Sequence, residues 1–217
     1  MVADGDDAPS ASIPVPVLRD GPADAALSFV LAHSAGAPMD TPFMNEAASV
    51  LGAAGIQVVR FEFPYMRARR TGGGRGPDRM PVLQECYRAV VAQLGVGTRV
   101  AIGGRSMGGR VASMLADELQ VAGLLCFGYP FHPPHKPEQL RTAHLASLCT
   151  KTLVVQGTRD PFGSPEEIAS YALSPAIRVH FIEDGDHSLV PRKRSGRSED
   201  EAREEALEEA KKFLLEL

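Results

Sequence analysis

A serine flanked by glycines, Gly104-Arg105-Ser106-Met107-Gly108, stands between an apolar run at 99–102 and a helix-like run at 111–116. Strand, glycine-flanked serine and helix in that order form the pattern of a nucleophile elbow. In such an elbow a sharp turn lifts the hydroxyl above the edge of a sheet. Glycine at 104 and 108 leaves room for strand and helix to approach each other. A serine hydroxyl is hardly ionised at neutral pH, so a histidine must take its proton and a carboxylate must orient that histidine. Asp160 follows the apolar run 152–157, and His187 follows the alternating run 177–182. Glu183, Asp184 and Asp186 lie too near His187 in sequence to reach its far nitrogen easily, which favours Asp160. Ser106, Asp160 and His187 would then form a triad that attacks a carbonyl and carries an acyl group on Ser106.

A tetrahedral intermediate needs two donors for its developing oxyanion. The Met107 N–H supplies one; the other is expected from Ser34 or Ala35, in the loop after the first central strand, with Ala35 preferred by position. His33 is expected to brace that loop by hydrogen bonding. His33, Tyr129, Arg67 and Arg70 all follow strand ends and are candidates to touch substrate. A phosphate-cradling turn can imitate an elbow, but the glycine-rich stretch 71–76 has no lysine followed by Ser or Thr to complete a Walker motif. The spacing of His132, His135 and His144 is too irregular for zinc, so they read as a solvated loop. The chemistry requires no metal and no cofactor.

Two basic clusters border the expected cleft: Arg67, Arg69, Arg70, Arg75 and Arg79, then Arg192, Lys193, Arg194 and Arg197. In a protein of formal charge −4 they would create a local positive field, favouring a small acyl substrate that carries a carboxylate or phosphate.

Delivering these side chains to one place requires a scaffold. Short apolar or alternating runs at 26–32, 56–63, 99–102, 123–127, 152–157 and 177–182 read as strands. Helices are expected from Thr41-Pro42 to Gly55, over 82–94, after the elbow to about 119, briefly over 142–148, and from the capping boxes Ser164…Glu167 and Ser198…Glu201. The proline-bearing run 13–18 is at most an edge strand, 19–22 reads as a turn, and 64–81 as a loop. The alternation predicts an α/β fold: a mainly parallel central sheet with helices on both faces and ligands beyond the carboxyl ends of its strands. Only about 25 residues separate the strands at 127 and 153, so no large cap domain is expected.

Residues 1–11, mostly Asp, Ala, Ser and Gly, read as a disordered tail, and the length suits one domain over 12–217. The net charge argues against nucleic acid as a partner, and no apolar run has the length of a membrane span. Cys86, Cys126 and Cys149 form no C-x-x-C pair and read as buried free thiols. With an acidic N-terminus unlike a signal peptide, they point to the cytoplasm. Oligomeric state is left open.

A wider set of motifs carries a family resemblance: residues 33–37 with Met39-Asp40, 61–65, 104–110, 128–132, 156–163 and Gly185-Asp186-His187. Together they resemble a small α/β-hydrolase family of testis-expressed and histone-acetyltransferase-complex scaffold homologues, with bacterial members distantly similar to dienelactone hydrolase. The resemblance implies the α/β-hydrolase fold and the same triad, without naming a substrate. That family has glycine where Ser34 stands, so a reshaped oxyanion loop is expected here. The favoured function is a lidless serine hydrolase of an ester or thioester. The alternatives are a weakly active or non-catalytic scaffold module and an acyltransferase using the same residues.

Overall fold

The computed structural model describes residues 14–74 and 76–217. The expected tail at 1–11 and the side chain of Arg75 lie outside the described residues. Seven strands form one sheet: β1 (Val17–Asp20), β2 (Ser28–Ala32), β3 (Gln57–Phe61), β4 (Val100–Arg105), β5 (Gly123–Phe127), β6 (Thr152–Gly157) and β7 (Ile177–Ile182). Their order is β1-β3-β2-β4-β5-β6-β7, parallel throughout except for the edge strand β1, which runs antiparallel to β3.

The central strands read as continuous apolar runs because both faces of the sheet are covered. On β2, Val30 and Ala32 face one core with Tyr87, Val111 and Leu115, whereas Phe29 and Leu31 face the other with Met44, Leu207 and Phe213. Period-two alternation along each strand thus feeds two helical layers. Helices α1 (Pro42–Ala53) and α6 (Glu199–Leu215) cover one face; α3 (Met80–Ala92) and α4 (Met107–Ser113) cover the other. Thr41 caps α1, its Oγ1 accepting from Met44 N at 3.4 Å, and Pro42 occupies the first turn, where no N–H is needed. Both expected capping boxes form, at α5 (Pro165–Ser170) and at α6.

Between β5 and β6 the chain holds only loops and a short 3-10 segment, Ala143–Ser147, so there is no cap domain over the sheet edge. Four local expectations need correction. Residues 19–20 belong to β1 rather than a turn, because Arg19 and Asp20 pair with Val59 and Val58. The stretch after Pro64 is a helix, α2 (Pro64–Arg70): Tyr65 and Met66 bury themselves, and Tyr65 N donates to Asp78 Oδ2 at 2.9 Å. The helix after the elbow stops at Ser113 and continues as turns. Cys149 is exposed, while Cys86 and Cys126 are buried free thiols. Among the described residues no helix is long and apolar enough to cross a membrane.

The elbow is the tightest point of the fold. A Cβ on Gly104 would lie 2.6 Å from Ala32 O and 2.7 Å from Gly108 C; one on Gly108 would lie 2.5 Å from Ala32 O. All are backbone atoms, which cannot swing aside. Gly104→Ala is therefore expected to cost about 1–3 kcal/mol of stability. Gly36→Ala, with nothing within 4 Å of the added carbon, should stay within roughly 0.5 kcal/mol of wild type. Urea unfolding of the two variants checks the contrast; equal losses would contradict it.

Candidate active site

Ser106 sits at φ 51, ψ −115, between the end of β4 and the first turn of α4. A non-glycine residue held there stores strain of about 1–3 kcal/mol, and it persists only where its surroundings dictate it. They do so here. Ser106 N donates to Phe127 O on β5 at 2.9 Å, and Ser106 O accepts from Arg110 N at 3.0 Å.

His187 bridges the serine and the acid. Its Nε2 lies 2.8 Å from Ser106 Oγ and its Nδ1 2.7 Å from Asp160 Oδ2. With Nδ1–H donating to the carboxylate, Nε2 is left to accept the Ser106 proton. Phe162 packs against the imidazole, ring centres 4.1 Å apart, on the loop that carries Asp160. Gly128 (φ 64) makes room for the histidine, since a Cβ there would come within 2.7 Å of His187 O.

Asp160 is buried and fully engaged. Oδ1 accepts from Phe162 N at 2.9 Å, and Oδ2 accepts from Gln156 Nε2 at 2.8 Å as well as from His187. Gln156 went unremarked in the sequence. Its Oε1 accepts from Tyr129 N at 2.8 Å, so it locks the loop after β5 to the acid. An amide in an otherwise apolar strand, four residues before the acid, was the signal available for it.

The neighbouring acids are occupied elsewhere. Asp184 binds Arg192 and Arg159, and the Arg192 hydrogen bond holds its carboxyl down at about 2. Asp186 Oδ1 accepts from Ser188 N at 2.7 Å and Val190 N at 3.1 Å, stapling the turn that presents His187.

The loop after β2 is braced from behind. His33 is fully buried; its Nε2 accepts from Phe63 N at 3.1 Å, so Nδ1 carries the hydrogen and donates to Ser34 O at 2.7 Å. Tyr65 Oη donates to Ala35 O at 2.9 Å. In a trans peptide the N–H points opposite to the preceding carbonyl. Holding Ser34 O and Ala35 O against His33 and Tyr65 therefore turns the Ala35 and Gly36 N–H groups away from that side. Ser34 to Ala37, Arg105, Ser106, Phe162, His187 and Ser188 line a cleft of about 430 Å³. Met107, the first residue of α4, adds an N–H without an intrahelical partner.

Several candidates fall elsewhere. His33 is buried beneath the cleft rather than lining it, and Tyr129 is buried with its hydroxyl donating to Arg141 O at 3.1 Å. Neither is placed to touch substrate. Arg70 is clamped by Glu62 and Asp40, and neither it nor Arg67 lines the cleft. In the second basic cluster, Arg192 and Arg197 are paired with Asp184 and Glu205. His132 is buried rather than solvated, and His144 Nε2 lies 2.8 Å from Ser113 Oγ. No group of three or more potential metal-ligating His, Cys, Asp or Glu occurs among the described residues.

Residues 25–215 match the family model described as an alpha/beta hydrolase domain. The chain belongs to that family. Solved structures share this hydrolase's fold at low identity. A dienelactone hydrolase from Anabaena variabilis is 20% identical with a TM-score of 0.72, covering 95% of this chain and 93% of its own. A serine hydrolase without lid from Xanthomonas campestris is 20% identical with a TM-score of 0.64, covering 91% and 85%. An alpha-beta serine hydrolase homologue from Coxiella burnetii is 19% identical with a TM-score of 0.66, covering 93% and 89%.

Burial holds the His33 pKa below its ordinary 6.5. Below about pH 6.5 the unfolded chain therefore binds a proton that the folded hydrolase does not, so stability falls as pH falls through this window. His144, lowered by burial and by Arg110, acts in the same direction. The free energy of urea unfolding should drop between pH 7.5 and 5.5, and drop less in His33→Gln. An unchanged pH slope in that variant would contradict the assignment.

Proposed function

We propose that this alpha/beta hydrolase cleaves a carboxylic ester or thioester through an acyl-enzyme on Ser106. The observation that carries the reading is His187 standing within hydrogen-bond reach of both Ser106 Oγ and Asp160 Oδ2, at 2.8 and 2.7 Å. In the first half-reaction Ser106 Oγ bonds to the substrate carbonyl carbon while His187 Nε2 takes the hydroxyl proton. The tetrahedral oxyanion is received by the Met107 N–H and by the Ala35 N–H aimed by His33 and Tyr65. Collapse breaks the bond to the leaving alcohol or thiol, which takes the proton from His187. Water, deprotonated by the same imidazole, then releases the acid. Asp160 orients and stabilises the imidazolium throughout, and Gln156 and Phe162 N hold Asp160 still.

The open sheet edge suits a substrate that enters from solvent without a lid. The names of two structural neighbours, a dienelactone hydrolase and a serine hydrolase without lid, agree with ester chemistry. Within the hydrolases, the chain's motif set supports a place in the small testis-expressed and scaffold-homologue family. Its two buried free thiols suit a reducing cytoplasm.

Steady-state hydrolysis of a panel of p-nitrophenyl esters and acyl thioesters tests the reading. Ser106→Ala should lower kcat by roughly 10⁴-fold or more, and Asp160→Asn by roughly 10⁴-fold. Gln156→Leu lets the acid drift and should cost up to about 10²-fold in kcat with little change in KM. Full activity in Ser106→Ala would refute the proposal.

A further inference from the structure

Among the described residues, one guanidinium beside the nucleophile has no carboxylate within ion-pair distance. Arg105 closes β4 and directly precedes Ser106. Its side chain lines two adjoining hollows: the cleft of Ser106 and His187, and a smaller one of about 280 Å³. Thr41, Phe43, Leu189, Glu199 and Arg203 also line the smaller hollow, and Ser188 lies on the border. The guanidinium lies over the Phe43 ring, 4.7 Å from its centre. Among the described residues its one side-chain hydrogen bond is long, from Nη2 to Ser188 O at 3.5 Å.

Arg67, Arg69, Arg110 and Arg141 also lack a carboxylate partner among the described residues, but none of them lines the cleft of Ser106 and His187; five other arginines differ. Arg60, Arg70, Arg159, Arg192 and Arg203 each form an ion pair with a carboxylate. Among the described residues Arg105 has none within ion-pair distance. The acids whose charge it senses are Asp186 and Glu199. Asp186 is committed to the N–H groups of Ser188 and Val190, and Glu199 pairs with Arg203 at 3.1 Å.

A guanidinium carries five N–H donors in a planar fork and stays charged in proteins. Withdrawing it partly from water without a partner is costly, and burial here also pulls its pKa below the usual value. The partner such a fork fits best is a carboxylate, held by two parallel hydrogen bonds.

We infer that Arg105 is the receptor for a free carboxylate on the acyl part of the substrate, and that the hollow beside Phe43 holds it. The substrate class is then a hemiester or monothioester of a short dicarboxylic acid; this rests on the ester-cleaving reading. Cleavage keeps the chemistry above: the Ser106 Oγ–acyl bond forms, the bond to the alcohol or thiol breaks, and water releases the dicarboxylate. Because Arg105 and Ser106 are adjacent in the chain, an acyl group on Ser106 remains near the guanidinium until that release. Glu199 in the same hollow disfavours a doubly charged phosphate over a carboxylate.

Calorimetry on the Ser106→Ala protein tests binding without turnover. Monoethyl glutarate should bind at least ten-fold tighter than diethyl glutarate, and adding Arg105→Met should erase the difference. An undiminished difference in the double variant, or none in Ser106→Ala, overturns the inference. Wild-type kinetics give a second test that needs no altered residue. Among p-nitrophenyl esters of equal length ending in carboxylate, methyl or ammonium, kcat/KM should fall in that order, and added salt should shrink the advantage of the anion. Equal values or the reverse order overturn it. If neutral esters are hydrolysed but the carboxylate preference is absent, this inference alone fails. If the carboxylate binds through Arg105 but no ester is cleaved, the hydrolase reading fails and the carboxylate site stands.

Discussion

The site depends on how closely three stretches of backbone meet at the end of β4. Ala32 O, at the end of β2, lies 2.6 Å from where a Cβ on Gly104 would stand and 2.5 Å from one on Gly108, so strand, turn and helix touch through main-chain atoms. At that distance the chain must reverse within a residue or two, and Ser106 is left at φ 51. The strain is offset because β4 lies between β2 and β5 in the middle of the sheet, and Ser106 N is tied to Phe127 O. A looser junction would relax the turn and lower the hydroxyl from the sheet edge. The same contact sets the loop after β2 against the first turn of α4, since Gly108 also packs on His33 O.

Parallel strand order does the remaining positioning. Because β4 to β7 all end on the same edge, the loops after β6 and β7 can lean back over Ser106. Short hydrogen bonds within those loops keep the lean fixed. Gln156 ties the acid to the loop after β5, Asp186 staples the histidine turn, and Asp184 anchors the far side of that turn to Arg159 and Arg192. The acid is thus solvated by protein donors instead of water, and its geometry is set before any substrate arrives.

What could be read from the sequence was whatever depends on local pattern. Apolar runs, capping residues and the glycine-flanked serine are short-range signals, and they placed the parallel strands, α1, α3 and α6, and the residues that meet at Ser106. What could not be read depends on partners distant in the chain. Gln156 gains its meaning only from Tyr129 and Asp160. The helix after Pro64 has no apolar stripe and is held by Tyr65 and Met66 packing into the core. His144 lies in a proline-rich segment that folds back onto Ser113. The same limit hid how individual arginines are used: Arg70 and Arg192 from the conspicuous clusters pair with internal acids, whereas Arg105, inside the serine motif, lines the cleft.

Under the proposed function these constraints converge on one property, a Ser106 hydroxyl activated by the His187 imidazole that stands 2.8 Å from it. Labelling with a fluorophosphonate, followed by mass spectrometry of the digested protein, reads that property directly. The structure predicts one phosphonyl group per folded chain, on Ser106, with none on the urea-unfolded protein. Folded protein that leaves Ser106 unmodified, or modifies other serines equally, would contradict the account.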